Sequence, residues 1–455
     1  MNSSRSVIVV GAGACGMVAA LAAAEQGAEV LVFEKAPQTG GNTRLSTGLI
    51  PAAHTRLQLA AGIQDDSPQR MAEDILRKNR YQSDVRFTRR LCEVATEVVE
   101  WLIDEVGCAL VFHPHAWYPG MSRPRLHGPP KGYGDSLANQ LEFAIRQQPH
   151  IKIELATPVT GLQVEDGVVR GVRVGETVVL GTAVILATGG FGANRDMVTQ
   201  YLGERAAKAL HYFGSWTNTG DGIRWGIEIG AAVRDMGAYQ AHAAVATPDG
   251  PIVTWLLVQN GAIIVNRNGH RFANETVGYS EFAAAVLAQP DQEAWMLFNQ
   301  QVLDRCIDTR VEEVLSAGKV HYADTIEALA RDTGLPEAAI TETLTELQHS
   351  ICSGTADRFG RGVYPASPID PPYYWIHIRP ALFHTQGGLV VDHDARVLRL
   401  DGTPVPGLYA GGGTAAGVSG PNADGYLSGN GLLAAVVLGY LAGRAAGRPT
   451  TVTSS

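Results

Sequence analysis

The sequence predicts an α/β fold, a helix-flanked parallel sheet interrupted by a smaller α+β capping domain. Three observations carry this. Residues 7–10 are an apolar run ending at Gly11-Ala-Gly13-Ala-Cys-Gly16, and an apolar helical pattern follows before a second apolar run closes on Glu34. Residues 183–186 are wholly apolar between turn residues and read as a buried strand. Residues 279–351 read mainly as helices, with Ser, Thr, Asp or Pro before several starts, between blocks that read as strands. At 455 residues the chain is too long for one simple core.

The opening unit is a strand, a tight glycine turn, a helix and a strand with a terminal acid, and each part has a task in holding a dinucleotide. Gly11 lets the chain turn sharply. Gly13 lets the backbone approach a pyrophosphate, and Gly16 lets the helix pack close to the sheet. The helix start, at Ala14 and Cys15, offers free N–H groups and a positive dipole end to phosphates. Glu34 is placed to accept hydrogen bonds from a ribose. Residues 50–80 and 123–134 read as loop-rich. Residues 168–182 read as a β-meander leading to the buried strand 183–186. Helices are expected over 279–287, 291–303, 325–332 and 337–351. Strands return over 388–392, 396–398 and 407–410. The apolar stretch 431–443 is too short to cross a bilayer and reads as a buried helix. The domains expected are therefore 1–235 with 351–455, and an inserted cap over 236–350.

Composition narrows the function classes. Hydrophobic residues make up 45% and charged residues 18%, which fits a globular chain. The formal charge of −9 disfavours nucleic acid and anionic membranes as partners. The 5 cysteines are scattered without a CxxC pair, so no metal site is expected. With no signal peptide ahead of the first strand, the reading is a reduced, cytoplasmic setting without membrane insertion.

Two further glycine signatures follow. Ala187-Thr188-Gly189-Gly190 comes directly after the buried strand. Residues 407–413 (GLYAGGG) precede Ser428-Gly429-Asn430-Gly431-Leu432, which opens the last helix. A helix start there directs N–H groups at a partner that is or becomes negative.

Taken in order, GxGxxG with Glu34, GGNT (40–43), ATGG (187–190), NTGDG (218–222), NRNGHRFANE (266–275), HTQGG (384–388), GLYAGGG and SGNGL (428–432) resemble the fumarate reductase and 3-ketosteroid Δ1-dehydrogenase flavoprotein superfamily. The resemblance covers nearly the whole chain. It implies a Rossmann-like FAD-binding domain interrupted by a capping domain, with substrate bound between cap and isoalloxazine. It extends the expected cofactor contacts to Lys35, Gly41, Asn42, Thr43, Val159, Asp221, Gly412 and Gly413. Relatives with covalent FAD use a His near residue 43; Thr43 and Arg44 here imply non-covalent FAD.

The resemblance also places the chemistry. Flavin desaturation needs a hydride acceptor, a base on the neighbouring carbon, and groups that polarise the carbonyl. Where fumarate reductases carry a catalytic Arg, four residues after the Glu of RFANE, this chain has Tyr279, and ketosteroid dehydrogenases have a Tyr proton acceptor after the same motif. A phenol near pKa 10 needs a cation, hydroxyl or helix dipole beside it to act as a base. Tyr426 stands where fumarate reductases have a carboxylate-clamping Arg. Gly425 matches a carbonyl-contacting Gly of the ketosteroid enzymes, whose Tyr four residues earlier is Pro421 here. His242 and His384 keep family positions, and Tyr118 is a further candidate. Arg123, Arg125 and His127 read as solvated surface charge.

Two Arg-to-Tyr positions argue against fumarate or succinate, because a carboxylate clamp favours guanidinium. The expected function is an FAD-dependent α,β-desaturase of a cyclic ketone, 3-ketosteroid-like or 4-oxocyclohexanecarboxylate-like. The alternative is an enoate reductase or dehydrogenase of a small carboxylic acid, with Arg379 or Arg125 as the missing guanidinium. A third reading is a flavin protein without turnover. No separate NAD(P)H site is visible, so electrons are expected to leave to a carrier, a quinone or oxygen.

Overall fold

The computed structural model describes residues 5–131, 133–307, 311–361 and 368–448. They form two compact units, one within 1–204, 214–239 and 384–455, the other within 205–213 and 240–383. These limits differ from the expected 236–350 insertion, chiefly at its C-terminal side. The strand Tyr373–Thr385 pairs from Tyr373 to Ile378 with Ala294–Asn299, which draws residues up to 383 into the second unit.

The first unit is built on a six-stranded sheet. Its order is Arg396–Leu398, Pro404–Ala410, Ala183–Leu186, β1 (Ser6–Val10), β2 (Glu29–Phe33) and Ile151–Glu154. All neighbours are parallel except the first pair. Strands covered on both faces are apolar throughout, and that is how Val7–Val10 and Ala183–Leu186 read. The first helix, α1 (Ala14–Glu25), follows β1, and the last helix, Asn430–Gly447, packs along it. Glycines permit that close packing. A Cβ at Gly439 would sit 2.4 Å from Cys15 O, and one at Gly443 would sit 2.3 Å from Ala19 O. The last helix has 18 residues and is long and apolar enough to cross a membrane, which corrects the shorter expected stretch; within its unit it is mostly buried, as expected.

The second unit centres on the strand Tyr373–Thr385, flanked by His211–Tyr212 and by Ala294–Asn299, with Ile263–Val265 beyond. One expected helix is corrected here. Residues 294–299 (AWMLFN) form a strand, and the helix begins only at Gln300. The five apolar residues 294–298 fit a buried strand as well as a helix, and pairing decides it. In the first unit, Pro68–Lys78 is a helix rather than loop, started by the Ser67 side chain accepting from Arg70 N–H. Only Gly388–Leu389 of the expected strand 388–392 is a strand.

The loop 123–134 is also corrected. Arg125 is 1% exposed, and its guanidinium pairs with Asp66 at 3.0 Å and Asp74 at 2.7 Å. His127 is 0% exposed. Its Nε2 accepts from the Thr55 hydroxyl and its Nδ1 donates to Arg125 O. Burial pushes this imidazole down to about 4. Unfolding restores an ordinary value near 6.5, so the unfolded chain gains a proton first as pH falls. The neutral ring's contribution is therefore complete above pH 6.5 and lost progressively down to pH 4, about 3 kcal/mol in all. Urea unfolding across this window should show His127→Gln with a shallower pH slope than the native chain, by up to about one proton.

Candidate active site

The glycine turn lies where the carboxyl ends of three parallel strands converge, at the point where β1 separates β2 from Ala183–Leu186. Open α/β sheets bind ligands at such a reversal. Gly11 has φ +102°, and a Cβ there would lie 2.3 Å from Ala187 O, so the turn and the segment after the buried strand touch backbone to backbone. A Cβ at Gly16 would lie 1.8 Å from Gly11 O, which brings the helix close under the turn. Gly13 differs: a Cβ there meets nothing nearer than 3.7 Å, so its side of the turn is open.

Glu34 secures this turn. Its carboxylate accepts from Ala12 N–H and from Ala36 N–H, each at 2.8 Å. Thr157 N–H donates to Glu34 O, and Val159 begins the strand just beyond. Gly40 N–H donates to Ala12 O, and Thr43 accepts from Ala14 N–H at 3.0 Å. Gly41, Asn42 and Thr43 lie on the short helix Gly41–Leu45, and Asn42 accepts from Ser215 N–H. Lys35 pairs with Asp221 at 2.8 Å. Burial works against the Asp221 charge, but Lys35, Thr219 and Arg224 hold its carboxyl below the ordinary range.

Small residues complete the surround. Thr188 meets Thr414 at 3.1 Å, a Cβ at Gly189 would lie 2.0 Å from Asn218, and a Cβ at Gly413 would lie 2.8 Å from Gly190 N. Gly412 begins the short turn after Pro404–Ala410. Three helices of this unit start at Gly13, Gly220 and Gly429 with no side-chain cap. Uncapped starts of this kind suit phosphate and a flavin ring that becomes negative on reduction. Ser428, Asn430, Gly431 and Leu432 form the last of them. These residues fit FAD.

Six residues were expected to carry chemistry, and four belong to this first unit. His384 packs edge-on to Tyr426, ring centroids 5.7 Å apart, and its ring lies against Gly431. Gln386 Nε2–H donates to His384 Nδ1 at 2.9 Å. Gln386 Oε1 accepts from Ser419, whose oxygen accepts from Asn430. His384 Nδ1 also lies 3.4 Å from Thr385 O, and burial pushes the imidazole down to about 4. Gly425 fits only as glycine, since a Cβ would lie 2.1 Å from Ser419 O. Tyr118 packs half-buried against the core.

The other two belong to the second unit. His242 stacks on Tyr279 with centroids 4.9 Å apart at 19°, and on Phe383 at 5.4 Å and 17°. Its Nδ1 accepts from Ala244 N–H at 3.1 Å, which leaves the proton of the neutral ring on Nε2. Tyr279 is the first residue of the helix Tyr279–Ala288. Ser280 accepts from Ala241 N–H and ties that helix start to the His242 strand. Upstream, Arg271 and Arg361 both pair with the buried Glu275, which also accepts from Ile264 N–H. Burial opposes this charge, but the two guanidinium groups hold the carboxyl below its usual range. The RFANE segment is thus a buried ionic anchor for the Tyr279 helix.

Sequence reasoning missed Gln386, Ser419, Trp255 and Phe383. Gln386 had a signal, since it shares a face with His384 at spacing two on an extended segment. Trp255 and Phe383 carry no motif. Arg379, considered with Arg125 for the carboxylate-binding guanidinium of the alternative reading, is bound to Glu293.

Comparison with known proteins fits this geometry. Residues 6–432 match the family described as FAD binding domain. The probable fumarate reductase Ifc3 of Shewanella frigidimarina is 33% identical over 449 residues, spanning 97% of this chain and 74% of the relative. A 3-oxosteroid 1-dehydrogenase of Mycobacterium tuberculosis is 28% identical, spanning 96% of this chain and 97% of the relative. Among solved structures, a 3-ketosteroid-Δ4-(5α)-dehydrogenase from Rhodococcus jostii RHA1 in complex with 4-androstene-3,17-dione matches with TM-score 0.79 at 26% identity, over 98% of each chain.

Proposed function

The chain belongs to the FAD-binding-domain family of oxidoreductases, and on that premise we propose that it exchanges hydrogen across a C–C bond adjoining the carbonyl of a cyclic ketone. The observation that carries this is the Tyr279–His242 stack at a helix start, walled by Trp255 and Phe383. The guanidinium groups considered for a carboxylate are already paired, Arg125 with Asp66 and Asp74, Arg379 with Glu293.

In this reading Tyr279 takes a proton from the carbon beside the carbonyl in desaturation and returns it in reduction. His242 orients the phenol through the ring stack. Tyr426, His384 and Gly425, in the first unit, are proposed for substrate binding. Tyr118 is a further substrate contact. Bound FAD, held non-covalently, supplies the hydride acceptor or donor at its N5. The electrons then pass to a carrier, a quinone or oxygen.

The identity to a probable fumarate reductase supports a second reading, an enoate reductase of a small carboxylic acid. The test assays the holoenzyme with 4-oxocyclohexanecarboxylate and 4-androstene-3,17-dione against an artificial acceptor, and with fumarate against a reduced viologen. A ketone should be preferred over fumarate in kcat/KM by roughly 100-fold or more, given what a mismatched polar site costs. Faster fumarate reduction sinks the ketone reading.

A further inference from the structure

His384, Gln386, Ser419 and Asn430 form one line of hydrogen bonds inside the first unit. Asn430, the first residue of the last helix, donates through Nδ2–H to Ser419 Oγ at 3.0 Å. The Ser419 hydroxyl donates to Gln386 Oε1 at 2.9 Å, and Gln386 Nε2–H donates to His384 Nδ1 at 2.9 Å. Turning the Gln386 amide over would set two N–H donors on Ser419 Oγ and leave the hydroxyl hydrogen without Gln386 as acceptor. Gln386, Ser419 and Asn430 are buried, at 5%, 1% and 1% exposure, while His384 is half-buried. The line thus runs from the interior to a ring that keeps open surface. The Gln386 backbone is held on both sides, its N–H donating to Ala238 O and its carbonyl accepting from Gly417 N–H, each at 2.8 Å. Gly417 leaves room for the amide, since a Cβ there would lie 3.1 Å from Gln386 Oε1. The other edge of the imidazole faces the last helix, where a Cβ at Gly431 would lie 2.9 Å from His384 Nε2.

From this line we infer that Gln386 is a positioning residue, which holds His384 with Nδ1 as acceptor so that the ring carries its proton on Nε2. The inference rests on the reading of His384 as a substrate-binding group and names what fixes the form in which it binds. Which nitrogen of a neutral imidazole keeps the proton is decided by the bond that the other makes. Thr385 O competes for Nδ1 and would draw the proton there, but at 3.4 Å against 2.9 Å for Gln386. Burial pushes the ring down to about 4, so at neutral pH it is uncharged and the tautomer decides what it offers. An Nε2–H donates to a carbonyl oxygen. The other tautomer presents a lone pair at Nε2 and repels one.

Two variants of the holoenzyme test this. Gln386→Leu removes the donor. Gln386→Glu keeps the shape and still accepts from Ser419, but offers Nδ1 an acceptor in place of a donor, and it serves alone if the leucine variant does not fold. The readout is the pair of 15N ring shifts of His384 in protein labelled at histidine, assigned by their loss in His384→Asn. The native chain should show an acceptor-type Nδ1 and an N–H-type Nε2, and in both variants Nδ1 should become N–H-type. Turnover of the preferred ketone should fall roughly 10- to 100-fold at unchanged flavin content, the range for one lost hydrogen bond to a substrate oxygen. A purely structural glutamine would lower the thermal midpoint and leave the nitrogen pattern as it was. A native ring protonated on Nδ1, a native pattern kept in Gln386→Glu, or undiminished ketone turnover with a switched ring overturns the inference. A pattern that switches as expected in a protein turning over no ketone leaves this inference standing while the ketone reading falls.

Discussion

Tyr279→Phe should lower turnover of the preferred ketone by roughly 10²- to 10⁴-fold, the usual contribution of a positioned acid or base. Flavin content should be unchanged. The substitution removes one hydroxyl and leaves the ring stack on His242 and the helix start at Gly278 in place. It also sits in the second unit, whereas every residue assigned to the cofactor sits in the first. A fall in turnover with full flavin and an unchanged thermal midpoint therefore isolates proton transfer. Near-wild-type turnover on every ketone and acid tested would remove Tyr279 from the mechanism. A double-mutant cycle with Tyr426→Phe then measures whether the two phenols act on one substrate, since groups acting together are strongly non-additive.

The cofactor site was legible because dinucleotide binding is mostly a backbone problem. Gly11, Gly16, Gly189 and Gly413 are needed where a Cβ would collide with main chain or a fixed side chain, and such constraints leave glycines at set intervals that a single sequence displays. Glu34, Lys35 and Asp221 could be placed by order along the chain, but their partners could not. The Glu34 carboxylate turns out to bind the turn's own amides, and Lys35 and Asp221 bind each other. Arg125 and His127 were misread for the opposite reason. A charged residue in an irregular loop looks solvated until its partners are known, and Asp66 and Asp74 lie 59 and 51 residues away in sequence. The strand 294–299 was misread because the five consecutive apolar residues 294–298 have no period to distinguish. Trp255 was invisible, since an indole joins an aromatic cluster by tertiary packing alone.

Gly11→Ala should abolish flavin retention and lower stability by about 3–5 kcal/mol, combining a left-handed backbone at a non-glycine residue with overpacking. Against a typical total of about 5–15 kcal/mol this is a large share. The reason it cannot relax is the register of the sheet. Val10 pairs with Leu186, Ala187 N–H donates to Val10 O, and Gly11 N–H donates to Phe33 O at 2.7 Å. Strands on both sides thus fix the backbone that an added methyl would strike, 2.3 Å from Ala187 O and 2.8 Å from its carbonyl carbon. No rotamer change clears main-chain atoms. Any shift that does must move Ala12 and Gly13, and with them the start of α1. Gly27→Ala is the matched control. Its φ is +82°, yet nothing lies within 4 Å of the added Cβ, so it bears the conformational penalty alone, about 1 kcal/mol. The comparison is read from the 450 nm to 280 nm absorbance ratio and the thermal midpoint of each purified variant. Equal flavin retention in both would mean that close backbone approach at the turn is not what shapes the cofactor site. Loss confined to Gly11→Ala ties cofactor binding to the contact between the β1 turn and the segment after Ala183–Leu186.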